Sequence, residues 1–229
     1  MTERYGIYFA PACQTELWKL GSEWLGRDCA SGVAMTQPAL IARELSLSDF
    51  TKSPRRYGFH ATLKPPFALA KGQTVGGLQD ALKNFSLATK PVSIGELKLR
   101  RIGSFLALTP KEQSPAIAQF AASCVEKFEP FRAPLSAESR KKRLQANLSD
   151  RQKELLDRWG YPYVMEEFRM HLTLSDSLND QVAPDILHAA KHWFEPILHQ
   201  EHMLDRICLY KEPSTGAPFE RIADFVLEG

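Results

Sequence analysis

Arg56-Tyr57-Gly58-Phe59-His60-Ala61-Thr62-Leu63-Lys64-Pro65-Pro66-Phe67 and Phe168-Arg169-Met170-His171-Leu172-Thr173-Leu174 each contain His-x-Thr-Leu. One such tetrapeptide is expected roughly 0.03 times by chance from this composition, so a pair carries information. In the first stretch Tyr57, Phe59, Ala61 and Leu63 alternate with Gly58, His60, Thr62 and Lys64, the period of a strand, and Pro65-Pro66 is expected to close it. Residues i and i+2 of a strand share a face. Each motif therefore presents an imidazole beside a hydroxyl, while Phe59, Ala61 and Leu63, or Met170, Leu172 and Leu174, turn to the core.

Outward from the motifs, the order of elements repeats. The alternation of Tyr5, Ile7 and Phe9 predicts a strand that Pro11 ends. A helix follows over 14–25, with Thr15 as N-cap, Leu17, Leu20, Trp24 and Leu25 on one stripe, and Gly26 as stop. After a looser stretch from Arg27 to Arg56 come the first motif strand, a helix from about Thr74 to Leu87 and a strand-like run through Val92, Ile94 and Leu97. The second round has a strand over Ile102–Leu108 that Pro110 terminates, a helix from Ser114 to about Phe128, a polar insertion and the second motif strand, from Glu167 to Ser175. A helix from about Pro184 to Glu195 and a strand over Asp205–Tyr210 complete it. Ile94 lies 34 residues after His60, and Asp205 lies 34 after His171. The sequence thus predicts a single two-lobed, pseudo-symmetric α+β domain, with first repeat about 4–98, second about 102–211 and a final strand over about 220–227. Each lobe holds an antiparallel sheet with flanking helices, and strands are free to cross between lobes.

The 229 residues include 44% apolar ones, enough for a sizeable core, and 29 Lys+Arg against 27 Asp+Glu leave a net charge of only +2. That balance argues against a genome-coating or membrane-surface role. Met1-Thr2-Glu3-Arg4-Tyr5 lacks the basic region followed by an apolar run expected of a secretory leader, and no apolar run approaches a membrane span of roughly 18 residues, so an unexported, soluble protein is expected. Cys13, Cys29, Cys124 and Cys208 form no CxxC pair, as expected of free thiols in a reducing cytoplasm.

If the motif faces meet, they enclose two imidazoles and two hydroxyls, an acid-base pair around a small anion. One neutral imidazole takes a proton from attacking water or hydroxyl while the opposite imidazolium protonates the leaving oxygen, and the threonines donate to non-bridging phosphate oxygens. Neither step requires a metal or another cofactor. A single His-x-Thr would more simply be a hydrogen-bonded strand histidine; two in matched settings point to catalysis.

Together with Arg4-Tyr5-Gly6-Ile7-Tyr8-Phe9-Ala10-Pro11 and Trp159-Gly160-Tyr161-Pro162-Tyr163, the two quoted stretches resemble the 2H phosphoesterases, and most nearly their branch associated with phosphonate-degradation operons. The resemblance implies a 2H phosphoesterase-like fold and metal-independent chemistry on 2',3'-cyclic, 1,2-cyclic or 2'-5' phosphodiesters. It assigns His60, Thr62, His171 and Thr173 as the catalytic four. A small cyclic phosphate of a sugar or nucleotide is the expected ligand, phosphoribosyl cyclic phosphate among them, with an RNA end as a further candidate; protein partners are not indicated. The alternatives are a non-catalytic nucleotide or RNA-end binder and an RNA 2'-5' ligase or phosphodiesterase.

Tyr8 and Arg4 share one face of the first strand, and Lys64 and Arg169 share the cleft-side parity of the motif strands; all four are candidate substrate contacts. Between Arg132 and Arg158 stand 8 basic and 4 acidic residues, including Arg140-Lys141-Lys142-Arg143. This insertion is either a solvated helix or a basic flap, with Arg143 a substrate contact, that neutralises a second phosphate. His188, His192, Glu195 and His199 lie near one another on a helical wheel, but Pro196 is expected to break the helix before His199, so no metal site is assigned.

Overall fold

β1 (Arg4–Phe9) leads into α1 (Glu16–Leu25), where Thr15 accepts the Trp18 N–H at 3.3 Å and Gly26 closes the helix in the left-handed region at φ 74°. The computed structural model describes residues 3–40 and 46–229. Met1 and Thr2, part of the N-terminal reading, and residues 41–45 of the looser stretch lie outside the described residues. α2 (Lys52–Tyr57) ends that stretch and delivers the chain to β2 (Ala61–Phe67), and α3 (Val75–Leu87), capped by Thr74, follows. β3 (Val92–Gly95), β4 (Leu97–Ile102), β5 (Phe105–Pro110) and α4 (Pro115–Lys127) come next. The insertion folds as α5 (Ala137–Arg143) and α6 (Asp150–Trp159). The chain finishes with β6 (Leu172–Thr173), α7 (Ala183–Leu198), β7 (His202–Leu204), β8 (Arg206–Glu212) and β9 (Glu220–Val226).

Seven strands form one sheet in the order β4-β5-β6-β2-β1-β8-β9, every neighbouring pair antiparallel, and β3 pairs with β7 in a small second sheet. The fold is α+β. The two motif strands, β2 and β6, are adjacent at the sheet's centre. Outside them lie β1 and β8 on one side, β5 and β4 on the other. β8, from the C-terminal half, thus pairs with β1, and β4, from the N-terminal half, pairs with β5. β1 is thus flanked by β2 and by β8, a strand from near the other end of the chain, whereas β4 and β5 are consecutive strands of one hairpin.

The core lies behind the motif strands. Phe59, Ala61, Leu63, Leu172 and Leu174 are buried, and the Phe59 ring packs so closely on Gly21 of α1 that a β-carbon there would come within 2.4 Å of it. Trp24 of α1 packs against Phe194 of α7 with the rings tilted at 52°, and it donates its indole N–H to the Leu174 carbonyl at 2.8 Å. α1 and α7 are thereby fixed to the back of the second motif. Among the described residues no helix is long and apolar enough to cross a membrane.

Several expected boundaries shift for physical reasons. The strand expected over Ile102–Leu108 is present from Phe105 on, as β5 (Phe105–Pro110), and its first residues form the tip of a hairpin. Ile102 pairs with Phe105 across Gly103, which sits at φ 58°, and Leu97–Ile102 is a strand of its own. The expected strand over Glu167–Ser175 is regular only at Leu172–Thr173, because a 3-10 turn occupies Met165–Glu167. Pro65-Pro66 does not close β2. Phe67 still pairs with Tyr5, and the register slips twice, between the Tyr5 and Ile7 pairs and between the Ile7 and Tyr8 pairs, so the prolines sit in a bulged stretch where missing N–H groups are tolerated. Pro196 lies inside the last turn of α7, where it cannot donate to the carbonyl four residues before it; the helix runs on only to Leu198 and His199 is its cap, so the helix ends before His199 as expected.

Candidate active site

Ala61 pairs with Leu172, so the antiparallel register carries Thr62 opposite His171 and His60 opposite Thr173. Both histidines are oriented in the same way. The Nδ1–H of His60 donates to the Gly58 carbonyl at 2.9 Å, and that of His171 donates to the Arg169 carbonyl at 2.7 Å. A carbonyl only accepts, so the proton of each neutral ring resides on Nδ1 and Nε2 is left for proton transfer. At His60, Nε2 accepts the Thr62 hydroxyl at 3.2 Å. The Gly58 carbonyl is held by a backbone that only glycine fits: φ is 82°, and a β-carbon would lie 2.3 Å from Cys29 Sγ.

The environments of the two rings differ. Tyr8 stacks on His60, centroids 3.9 Å apart and planes at 24°, and Tyr57 and Tyr210 lie at 6.0 and 5.8 Å. Among the described residues the one aromatic ring beside His171 is Phe105, at 5.6 Å and 46°. Burial pushes His60 down to about 4, against the opposing Gly58 hydrogen bond and with help from nearby His171. Burial also lowers His171, opposed by the bond to Arg169.

A cleft of about 530 Å³ opens over the four motif side chains, and Arg4, Tyr8 and Arg143 line it. Two expected contacts are elsewhere. The bulge between the Ile7 and Tyr8 pairs adds a residue to β2 and reverses the parity beyond Thr62, so Lys64 turns away from the cleft. Its ammonium is 1% exposed and donates to the Val125 carbonyl of α4 at 2.9 Å and to Glu129 at 2.7 Å. Arg169 precedes the short β6, where strand parity does not apply. Its side chain is exposed and bonded to the Glu166 and Phe168 carbonyls, and its own carbonyl is what meets the site.

Of the basic run, Arg143 alone reaches the cleft; Arg140 pairs with Asp157, and Lys141 and Lys142 are exposed. Tyr57, Tyr161, Phe105 and Asp176 also line the cleft, roles that the sequence did not assign. Tyr57 and Tyr161 stood beside glycines in the distinctive motifs, which was the available signal; Phe105 and Asp176 had none. The Asp176 carboxylate accepts the Lys52 and Ser53 N–H groups at the start of α2 and so ties the second motif to the segment before the first. Among the described residues no three His, Cys, Asp or Glu side chains gather as a metal would require.

A family model described as "Protein of unknown function (DUF1045)" matches residues 62–220. A protein of Janthinobacterium sp. (strain Marseille) named ribose 1,5-bisphosphate phosphokinase PhnN is 38% identical over 222 residues, covering 94% of this chain and 49% of that protein. One of the same name from Laribacter hongkongensis (strain HLHK9) is 34% identical over 219 residues, covering 94% and 50%. The chain therefore spans about half the length of the curated relatives it matches. Among solved structures, E. coli LigT complexed with 3'-AMP and another protein described as a phosphoesterase align over 100% of both chains, each at 10% identity and a TM-score of 0.43.

Proposed function

The chain belongs to the family described as protein of unknown function DUF1045, and from that premise we propose that it is a two-histidine phosphoesterase that opens a small cyclic phosphodiester. The observation that carries this reading is the matched pair of imidazoles on adjacent central strands, each with Nδ1 tied to the carbonyl two residues earlier and Nε2 left for chemistry. In the same reading the chain is one duplicated domain, in which β2, β1 and β8 correspond to β6, β5 and β4.

His60 is the base. Its depressed pKa keeps it neutral at pH 7, so Nε2 can take a proton from water as the water oxygen bonds to phosphorus. His171, with less aromatic cover, is the acid: the negative phosphodiester favours its imidazolium, which passes the Nε2 proton to the departing ring oxygen as the P–O bond breaks. Thr173 donates to a non-bridging oxygen, and so does Thr62 once bound substrate draws its hydroxyl away from His60 Nε2, which frees that nitrogen to act as base. Written this way, the reaction balances without a metal.

For the substrate, the two relatives are named for ribose 1,5-bisphosphate, a sugar phosphorylated at O1 and O5. Hydrolysis of phosphoribosyl 1,2-cyclic phosphate at its P–O2 bond produces that compound, and this ring is our leading candidate. Phosphorus NMR of the protein in EDTA with phosphoribosyl 1,2-cyclic phosphate and with 2',3'-cyclic nucleotides tests the proposal. Ring opening is expected to fall by roughly 10² to 10⁴ in His60→Ala and in His171→Ala. Wild-type rates from either folded variant would overturn it.

A further inference from the structure

We propose that the cleft holds a second phosphate site, formed by Arg143, Arg4 and the Tyr8 hydroxyl, which selects substrates carrying a phosphate group besides the one being opened. The inference rests on the phosphoesterase reading and deepens it by naming the substrate class.

Arg143, the last residue of α5, is half-buried in the cleft lining. Its guanidinium lies 5.0 Å from the centre of the Tyr161 ring, and among the described residues it forms no ion pair. Arg4 and Arg143 both line the cleft; burial pushes the Arg143 pKa down, with Tyr161 opposing and the like charge of Arg4 adding to the effect. Arg4 is paired, but its partner is shared: Glu212 accepts both Arg4 and Arg56. Asp176 also lines the cleft, where its carboxylate is held by the Lys52 and Ser53 N–H groups. Even with it counted, three guanidiniums against two carboxylates leave a positive excess that an anion would neutralise.

The third component is independent of charge. The Tyr8 hydroxyl is buried and has no hydrogen-bond partner among the described residues, although its ring lines the cleft. Leaving such a group unsatisfied costs about 1–3 kcal/mol, so it calls for an acceptor that arrives with the ligand. Tyr8 folds back along β1 so that its hydroxyl lies over Gly6, on the way from His60 towards Arg4; a β-carbon at Gly6 would come within 2.6 Å of that oxygen. The same ring thus stacks on the catalytic imidazole at one side and offers a donor towards the arginines at the other. A phosphomonoester accepts from both donor types and brings two negative charges. Separation of the two sites by one aromatic ring suits a small scaffold such as a pentose or a nucleoside.

Two measurements separate this inference from the reading beneath it. In the first, calorimetric binding of ribose 5-phosphate is compared among wild type, Arg143→Gln, Arg143→Lys and Tyr8→Phe, with no turnover involved. Arg143→Gln is expected to weaken binding on the order of 10- to 100-fold, Arg143→Lys less, and Tyr8→Phe by about 10-fold. In the second, kcat/KM is measured for matched cyclic phosphates with and without a second phosphate, in a ribose 1,2-cyclic pair and a 2',3'-cyclic nucleotide pair, to distinguish a sugar phosphate from a nucleotide as its source. The wild-type preference for the doubly phosphorylated member is expected to collapse towards unity in Arg143→Gln. Equal turnover of both members together with no Arg143-dependent binding overturns the site while leaving the phosphoesterase standing. Arg143-dependent binding with no ring opened upholds the site and removes the phosphoesterase.

Discussion

Tyr8 covers one face of His60 at a centroid distance of 3.9 Å, whereas among the described residues the ring beside His171 is Phe105, tilted at 5.6 Å. Two imidazoles that the sequence makes equivalent are thereby made unequal. A base must start deprotonated and an acid protonated, so kcat/KM is expected to rise with pH through the lower pKa, near 4, and to fall through the higher one, that of His171. Both lie below the ordinary histidine value, which puts the optimum of kcat/KM on the acid side of about 6.5. Bound phosphate stabilises imidazolium, so the falling limb of kcat should lie at higher pH than that of kcat/KM. A kcat/KM optimum above pH 7.5 would contradict the depressed values and remove their support for His60 as the base.

Gly6→Ala should act on catalysis from outside the reacting groups. Its β-carbon would meet the Tyr8 ring at 2.5 to 2.8 Å, and the ring has to leave its place on His60. We expect kcat/KM to fall on the order of 10-fold or more, because orientation of the base is lost, and the His60 pKa, followed by NMR, to move up towards the ordinary value as water gains access. Gly76→Ala, whose β-carbon would meet nothing closer than 4.0 Å, serves as the control.

What the sequence made legible follows a pattern. Phe59, Ala61, Met170, Leu172 and Leu174 are all buried, so alternation alone assigned the faces of both motifs correctly. Alternation carries no record of an inserted residue, which is why Lys64, one step past the bulge, was expected in the cleft and lies behind it. β4 was missed because Lys98, Arg100 and Arg101 interrupt its apolar pattern; this strand is at the sheet's edge, where charge is tolerated. Which member of Arg140-Lys141-Lys142-Arg143 points inward depends on how α5 docks, a tertiary fact with no local signature.

Lys64→Met tests that correction. Glu129 keeps its paired bonds from Arg132, at 2.6 and 3.0 Å, but the Val125 carbonyl loses its donor. A loss of about 1–3 kcal/mol in denaturant unfolding is expected, with kcat/KM within about threefold of wild type. A tenfold rise in KM in a folded variant would return Lys64 to the substrate.

His60 also sets a pH dependence of stability. Its pKa is about 4 in the folded protein and about 6.5 when unfolded, so as pH falls below 6.5 the unfolded chain takes up the proton first. Stability contributed by keeping this ring neutral is therefore complete above about 6.5 and declines towards pH 4, by on the order of 3 kcal/mol. Carboxylates such as Glu212, where bonds from Arg4, Gly216 and Arg56 outweigh the cost of burial, lose their contribution in the same direction but at lower pH. The histidine part is isolated by comparing urea unfolding of wild type and His60→Gln from pH 7 to 4.5. The variant should show the shallower decline. Parallel curves would mean that His60 protonates as readily in the folded protein as in the unfolded chain, and the assignment of His60 as the base held neutral by burial under Tyr8 would fail with it.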